Sequence, residues 1–140
     1  MIERVNPPEL ARPAGFAHAV VGSGTIVFLA GQTAMAPDGS IVGTDVVNQF
    51  ETALGNLLKA LYAAGGEPRD LASLTIYAVD LADYRRNAAQ IGQVWRRLIG
   101  RDYPAMAAVG VARLWDDEAL VEVQGYAVLN DPASSADASR

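Results

Sequence analysis

Glu122 and Gln124 interrupt the run ALVEVQGYAVL, residues 119–129, which otherwise alternates like a buried strand. A carboxylate there can accept a proton from water, the work of a general base, or it can simply face solvent. On a bare strand face the second reading is the ordinary one. Inside an assembly the same group would be desolvated and would need a partner or an altered pKa. The other chemistry-bearing residues offer less. His18 is the single histidine, which excludes a multi-histidine metal site and leaves little for a Ser-His-Asp arrangement. Gly22-Ser23-Gly24 has neither the helix nor the lysine of a phosphate loop and reads as a hairpin turn. Arg85, Arg86, Arg96, Arg97 and Arg101 form a basic stripe on one helical segment. Its two readings are a solvated face and a contact for RNA or another anionic partner. Asp116-Asp117-Glu118 reads as a solvated turn.

The elements that would carry these residues follow from periodicity. Residues 6–15, with three prolines, read as an irregular arm. The segment FAHAVVGSGTIVFLAGQTAM is expected to fold as two strands around the glycine turn. After the Pro37-Asp38-Gly39 turn, Thr44 or Asp45 can cap a helix in which Val47, Phe50, Leu54, Leu57, Leu58 and Leu61 draw one apolar stripe. Gly65 and Pro68 end it. LASLTIYAVDL is a strand; a second helix starts at Asp83, carries Tyr84, Ala88, Ile91, Trp95 and Leu98 on one face, and closes at Gly100. Two strands follow, AMAAVGVARL and ALVEVQGYAVL.

The order β-β-α-β-α-β-β predicts an α+β two-layer sandwich with both helices on one sheet face. The other face is left bare. Because the strand at 105–114 is apolar on both sides, that bare face predicts oligomerisation.

Composition bounds the rest. With 140 residues, 51% of them apolar and 19% charged, the chain is sized for one folded domain, assigned here to 1–130, with a small polar tail at 131–140 expected to be disordered. There is no cysteine, so no disulfide. A net charge of −5 makes a nucleic-acid partner an unfavoured reading. The opening MIERVNPPEL lacks the basic-then-apolar pattern of a secretory signal, and no run is long enough to span a membrane. The expectation is a cytoplasmic protein without a membrane partner.

FLAGQTAM, ALGNLLKALYAAGG, LTIYAVDLADY, YPAMAAVGVARL and VEVQGYAVL, in this order, together resemble the RidA (YjgF) family of reactive-intermediate deaminases over about residues 14–129. The resemblance implies a chorismate-mutase-like fold, a homotrimer with its sheets packed inward, and three clefts between subunits. It implies cofactor-free hydrolysis of enamines and imines, such as those derived from 2-aminoacrylate, to a ketoacid and ammonia. In such enzymes an arginine in a Pro-Ala-Arg motif holds the substrate carboxylate and a glutamate on the last strand places water.

By position the glutamate is Glu122, the one expected catalytic residue, and no metal is implied. The arginine position holds Met106, the usual tyrosine is Phe16, and the serine of Ser-Gly-Gln is Ala30. These three, with Gly31, Ala108 and Trp115, are the expected substrate-binding residues; Gln32, Asn56, Asp80 and Pro104 match at positions that read as structural. One extra residue before the last strand makes the turn at Trp115 differ from the family pattern. Three readings stay open: a hydrolase for an imine, enamine or related labile metabolite without an essential carboxylate; a non-catalytic trimer that binds a small molecule or serves as a scaffold; and RNA cleavage.

Overall fold

The computed structural model describes residues 2–130; the tail assigned to 131–140 lies outside the described residues. Its elements run β1 (Ile2–Val5), β2 (Ala19–Gly22), β3 (Thr25–Gln32), α1 (Val46–Ala63), a 3₁₀ turn (Pro68–Asp70), β4 (Leu71–Ala78), α2 (Leu81–Arg86), α3 (Ala88–Leu98), β5 (Ala105–Gly110) and β6 (Val121–Leu129). Four strands form the main sheet in the order β3-β6-β4-β5, with β4 and β5 parallel and the other neighbours antiparallel.

The helix α1 forms where the apolar stripe requires it. Asp45 caps it, accepting a hydrogen bond from the Asn48 backbone N–H at 2.8 Å. Phe50, Leu54, Leu57, Leu58 and Leu61 are buried against Leu71, Leu74, Val121 and Val123 of the sheet, with Ile91, Val94 and Trp95 of α3 in the same core. Each such side chain, fully buried, stabilises the fold by roughly 1.5–3 kcal/mol. Gly65, at φ 91°, takes the left-handed conformation that terminates α1.

Strand alternation sets the two faces. In β6, Val121, Val123, Gly125 and Ala127 are buried under the helices, while Glu122, Gln124, Tyr126 and Val128 face away. On that uncovered face Phe28 is 75% exposed and packs edge-on against Tyr126 at 5.5 Å, and Ile26 is exposed beside them. The bare apolar face expected from the sequence is present in the single chain.

Three local expectations are corrected. The glycine turn at 22–24 does not join a paired hairpin: β2 pairs with β1, which the sequence reading left as part of no strand, and β3 pairs with β6. The alternating segment Ile2–Val5 competes successfully for β2. The second helix begins at Leu81 rather than Asp83, because the Asp80 side chain accepts from the Asp83 N–H at 3.0 Å. It is then broken at Asn87, whose side-chain amide donates to the Asp83 carbonyl at 2.9 Å. Finally, the strand expected over 105–114 stops at Gly110.

The buried polar residue that locks this arrangement is Gln49, 1% exposed on α1. Its Nε2 donates to the carbonyls of Gly43 and Glu118 at 3.0 Å each, and its Oε1 accepts from the Leu120 N–H at 2.8 Å. Gln49→Ala strands a buried N–H and removes two donors, at about 1–3 kcal/mol per unsatisfied group. Urea unfolding should show a loss of about 2–4 kcal/mol; a loss under 0.5 kcal/mol would mean the clamp is redundant.

Candidate functional site

The expected site residues fall into two groups in the single chain. The first is built around Glu122. It pairs across the sheet with Tyr77, which in turn pairs with Val109, so all three share the uncovered face. Opposite Glu122, β3 carries a bulge between Leu29 and Gln32. Gly31 sits in this bulge, and a Cβ there would collide with Glu122 Oε2 and lie 2.9 Å from its Cδ. The carboxylate therefore occupies the volume that any other residue at 31 would fill. Ala30, beside it, is exposed. From the helix side Asn56 donates to the carbonyls of Thr33 and Met35 at 3.0 Å each, fixing the chain just beyond the bulge. Gln49 fixes the entry to β6 through Leu120, two residues before Glu122.

The second group lines a cleft of about 310 Å³ on the helix side of β5. Met106 and Ala108 pair with Leu74 and Ile76, both buried beneath the helices, so they stand on the face opposite Glu122. They line the cleft together with Phe16 and the face of α3 that carries Ile91 and Trp95. Pro104 and Ala105 hold the arm beside this strand: the Ala17 N–H donates to the Pro104 carbonyl at 2.9 Å, and Ala17 bridges to Ala105. Trp95 stacks on Tyr103 at 5.4 Å, and its indole N–H donates to the Asp102 carbonyl at 3.2 Å. Burial raises the Tyr84 hydroxyl to about 12, as expected for a phenol on an apolar wall.

Of the six expected binding residues, then, Phe16, Met106 and Ala108 share one cleft, and Ala30 and Gly31 flank Glu122. Trp115 joins neither group in the single chain; it is 94% exposed. Among the described residues no cluster of His, Cys, Asp and Glu is arranged to hold a metal ion. His18 is occupied structurally, its Nε2 2.7 Å from the Ala11 carbonyl. The arginine stripe is exposed throughout; Arg86 pairs with Asp83 and Arg97 with Glu51. Sequence reasoning missed Gln49 and the division of the site between two sheet faces. The alternation of the last strand separates Glu122 from its apolar positions, but the strand carrying Met106 is apolar on both sides, so its sequence does not say which face Met106 takes.

Comparison with known proteins gives a consistent picture. The family described as Endoribonuclease L-PSP matches residues 8–129. A RutC family protein of Pyrococcus horikoshii is 32% identical over 117 residues, 83% of this chain and 89% of that protein. TdcF of Escherichia coli, provisionally named a reactive intermediate deaminase, is 32% identical over 111 residues, covering 77% of this chain and 82% of its own length. Among solved structures, a Rid family protein of unknown function from Yersinia pestis superposes with a TM-score of 0.83 at 34% identity, covering 91% of this chain and 98% of that one. RidA from an Antarctic Psychrobacter superposes at 0.66 with 27% identity, covering 85% and 92%.

Two predictions follow from the geometry. Because the obstructing atoms are the end of a flexible side chain, Gly31→Ala should destabilise the natural chain only modestly, by about 0.5–1 kcal/mol, yet cost almost nothing in a Glu122→Ala background, a coupling within the usual range for residues in contact. Additive losses in urea unfolding would break the proposed contact. For Tyr84, the folded state holds its proton more tightly than the unfolded chain, whose value is near 10.0. The associated stability is complete below pH 10 and is lost as pH rises toward 12. Tyr84→Phe should flatten that alkaline decline; an unchanged decline would assign it to other groups.

Proposed function

Starting from the fact that this chain belongs to the YjgF/RidA family, we propose that it hydrolyses a labile imine or enamine that lacks an essential carboxylate, with Glu122 placing the attacking water. The observation that carries this reading is the pairing of a retained carboxylate, seated against Gly31, with an apolar residue, Met106, at the position where the family's deaminases hold a cation.

The chemistry needs little equipment. The C=N carbon is already electrophilic, so orientation and one proton-transfer group suffice. Water adds to that carbon while Glu122 takes its proton. That proton passes to the imine nitrogen, giving a carbinolamine. Glu122 then carries the remaining hydroxyl proton to the nitrogen as the C–N bond breaks with its electron pair going to nitrogen, the C=O bond forms, and a carbonyl compound and ammonia leave. An enamine enters the same sequence once its carbon has gained a proton and its nitrogen has lost one. No metal or organic cofactor is required for any of these steps.

Glu122 and Met106 lie on opposite faces of one sheet, so no small substrate touches both within a single chain. A cleft using both joins the Glu122 corner of one copy to the Met106 cleft of another. The uncovered face with Phe28, Ile26 and Tyr126 supplies the surface for such packing. The proposed assembly is a homotrimer acting on a small molecule in the cytoplasm, and no helix among the described residues is long and apolar enough to cross a membrane.

A second reading, a trimer that binds a small ligand or acts as a scaffold without turnover, is favoured by the apolar residues at 16, 30 and 106. RNA cleavage has the matched family's description and the arginine stripe in its support, against a net charge of −5 and two arginines already paired.

Light scattering at micromolar concentration should give three times the 14.8 kDa of one chain; a stable monomer would defeat the shared-cleft reading. Ammonia release should be slow from the 2-aminoacrylate-derived imine and faster from imines without a carboxylate. Losing a charge-assisted partner costs about 2–5 kcal/mol, so Met106→Arg should restore part of the carboxylate preference. Glu122→Gln should abolish turnover in both backgrounds. Brisk hydrolysis of the carboxylate substrate by the natural chain would refute the substrate class. Saturable ligand binding without ammonia release from any imine would favour the non-catalytic trimer.

A further inference from the structure

The face of α3 toward the cleft is built from Ala88, Ile91, Gly92 and Trp95, the helical spacing of a single stripe. Gly92 is anomalous there. A glycine inside a helix costs stability relative to alanine, and neither of its usual justifications applies. Its φ is not positive. A Cβ added to it would meet no atom closer than Arg96 Nη1, at 3.9 Å. The missing side chain thus serves neither the backbone nor a close contact. What it does is leave the wall of the cleft open.

The space so preserved has a definite chemistry. Its volume of about 310 Å³ is roughly twice that of the apolar cavity, of about 150 Å³, known to hold benzene. Five aromatic rings border it, from Phe16, Phe50, Tyr84, Trp95 and Tyr103, and Met106 adds a polarizable thioether. Rings arranged around a slot of this size favour edge and offset contacts with another ring. None of its lining residues is charged. Arg96, exposed, stands at the rim and does not line the cleft. Its exposed lining residues, Ala14, Gly15, Ala88, Ala107 and Ala108, all have the smallest side chains, so a flat group can enter.

We propose that this cleft binds an uncharged aromatic ring, and that Gly92 determines the size of ring admitted. Resting on the hydrolase reading above, the ring would be the apolar part of the imine or enamine substrate whose C=N group is handled by Glu122. The ring site is separable from the chemistry and can be tested without turnover.

The probe is benzyl alcohol, titrated into the intact protein while the indole N–H of Trp95 is followed by NMR. A Trp115→Phe background leaves that indole as the single one observed. Saturable shifts are expected at millimolar probe or below. Gly92→Leu, which extends a good helix former into the slot, should weaken binding at least tenfold, and Gly92→Ala about threefold with the helix retained by circular dichroism. Glu122→Gln should leave the dissociation constant within twofold. If Gly92→Leu fails to fold, Gly92→Ala, the better helix former, decides. No saturable shift in the natural chain, or unchanged affinity in a folded position-92 variant, overturns the ring site. Turnover separates the two proposals. Ring binding without ammonia release removes the hydrolase reading and leaves the ring site standing. Where ammonia is released, a phenyl-bearing imine should exceed its methyl analogue in kcat/KM by about tenfold or more, the scale of hydrophobic-pocket discrimination. Gly92→Leu should erase that difference, and its persistence would remove the ring site alone.

Discussion

A four-stranded sheet has two faces, and this chain has helices for only one of them. That constraint organises everything else. On the covered side α1 and α3 bury a continuous core from Phe50 and Leu54 through Leu74, Val121 and Trp95. On the other, Phe28, Tyr126 and Ile26 remain in water alongside the half-buried Glu122. An apolar surface of this kind is not stable in isolation as an indifferent feature; it favours whatever removes it from solvent. A carboxylate on such a surface is therefore more than a solvated strand residue, because any partner that buries its neighbours also changes its surroundings.

Two amides on α1 convert the helix from a lid into a jig. Gln49 binds the loop before β6, and Asn56 binds the chain that leaves β3. Between them lie the bulge with Gly31 and the strand position of Glu122, on the far side of the sheet from the helix. The position of the carboxylate on the open face is thus set by hydrogen bonds made on the closed one. The Gln49 side chain is buried with its donors and acceptor all engaged, which is the condition under which a polar group inside a core adds rigidity rather than a penalty; Asn56 is half-buried.

Much of this was readable from periodicity. The stripe of α1 and the alternation of β6 are strong signals because each burial choice is repeated several times along the element. The resemblance motifs located Glu122, Met106 and the glycine at 31. What escaped were features decided by single competitions. Ile2–Val5 is four residues long, and nothing local says that it outbids β3 for β2. The break at Asn87, at φ −100° and ψ 16°, is local: its side-chain amide shares the Asp83 carbonyl with its own backbone N–H, a bond that residues of this type often make. Gln49 carries no local signal, since its three partners lie six, 69 and 71 residues away. Trp115, expected as a cleft residue, is a large exposed aromatic in the single chain, and its sequence carries no information about its neighbours there.

The split of the site also explains why position 106 cannot be considered alone. In the parallel β4–β5 pair, Met106 is tied to Leu74, so its side chain is directed to the helix side and packs against the core. Around it the walls are Phe16, Tyr103 and Trp95, with the Trp95 N–H already engaged by Asp102. A cation at 106 would have no carboxylate among these lining side chains to pair with, and its desolvation would be offset mainly by an anionic ligand. The apolar character of the cleft is therefore shared by several residues on three elements, and Gly92 belongs to the same set because an open wall matters only if something apolar enters. On the proposed reading, substrate class is a property of that ensemble, whereas the proposed proton-transfer group, Glu122, sits on the other face and is held by different contacts. Substitutions around Met106 can therefore alter the cleft without touching the Gly31–Glu122 contact, because the two lie on opposite faces of the sheet.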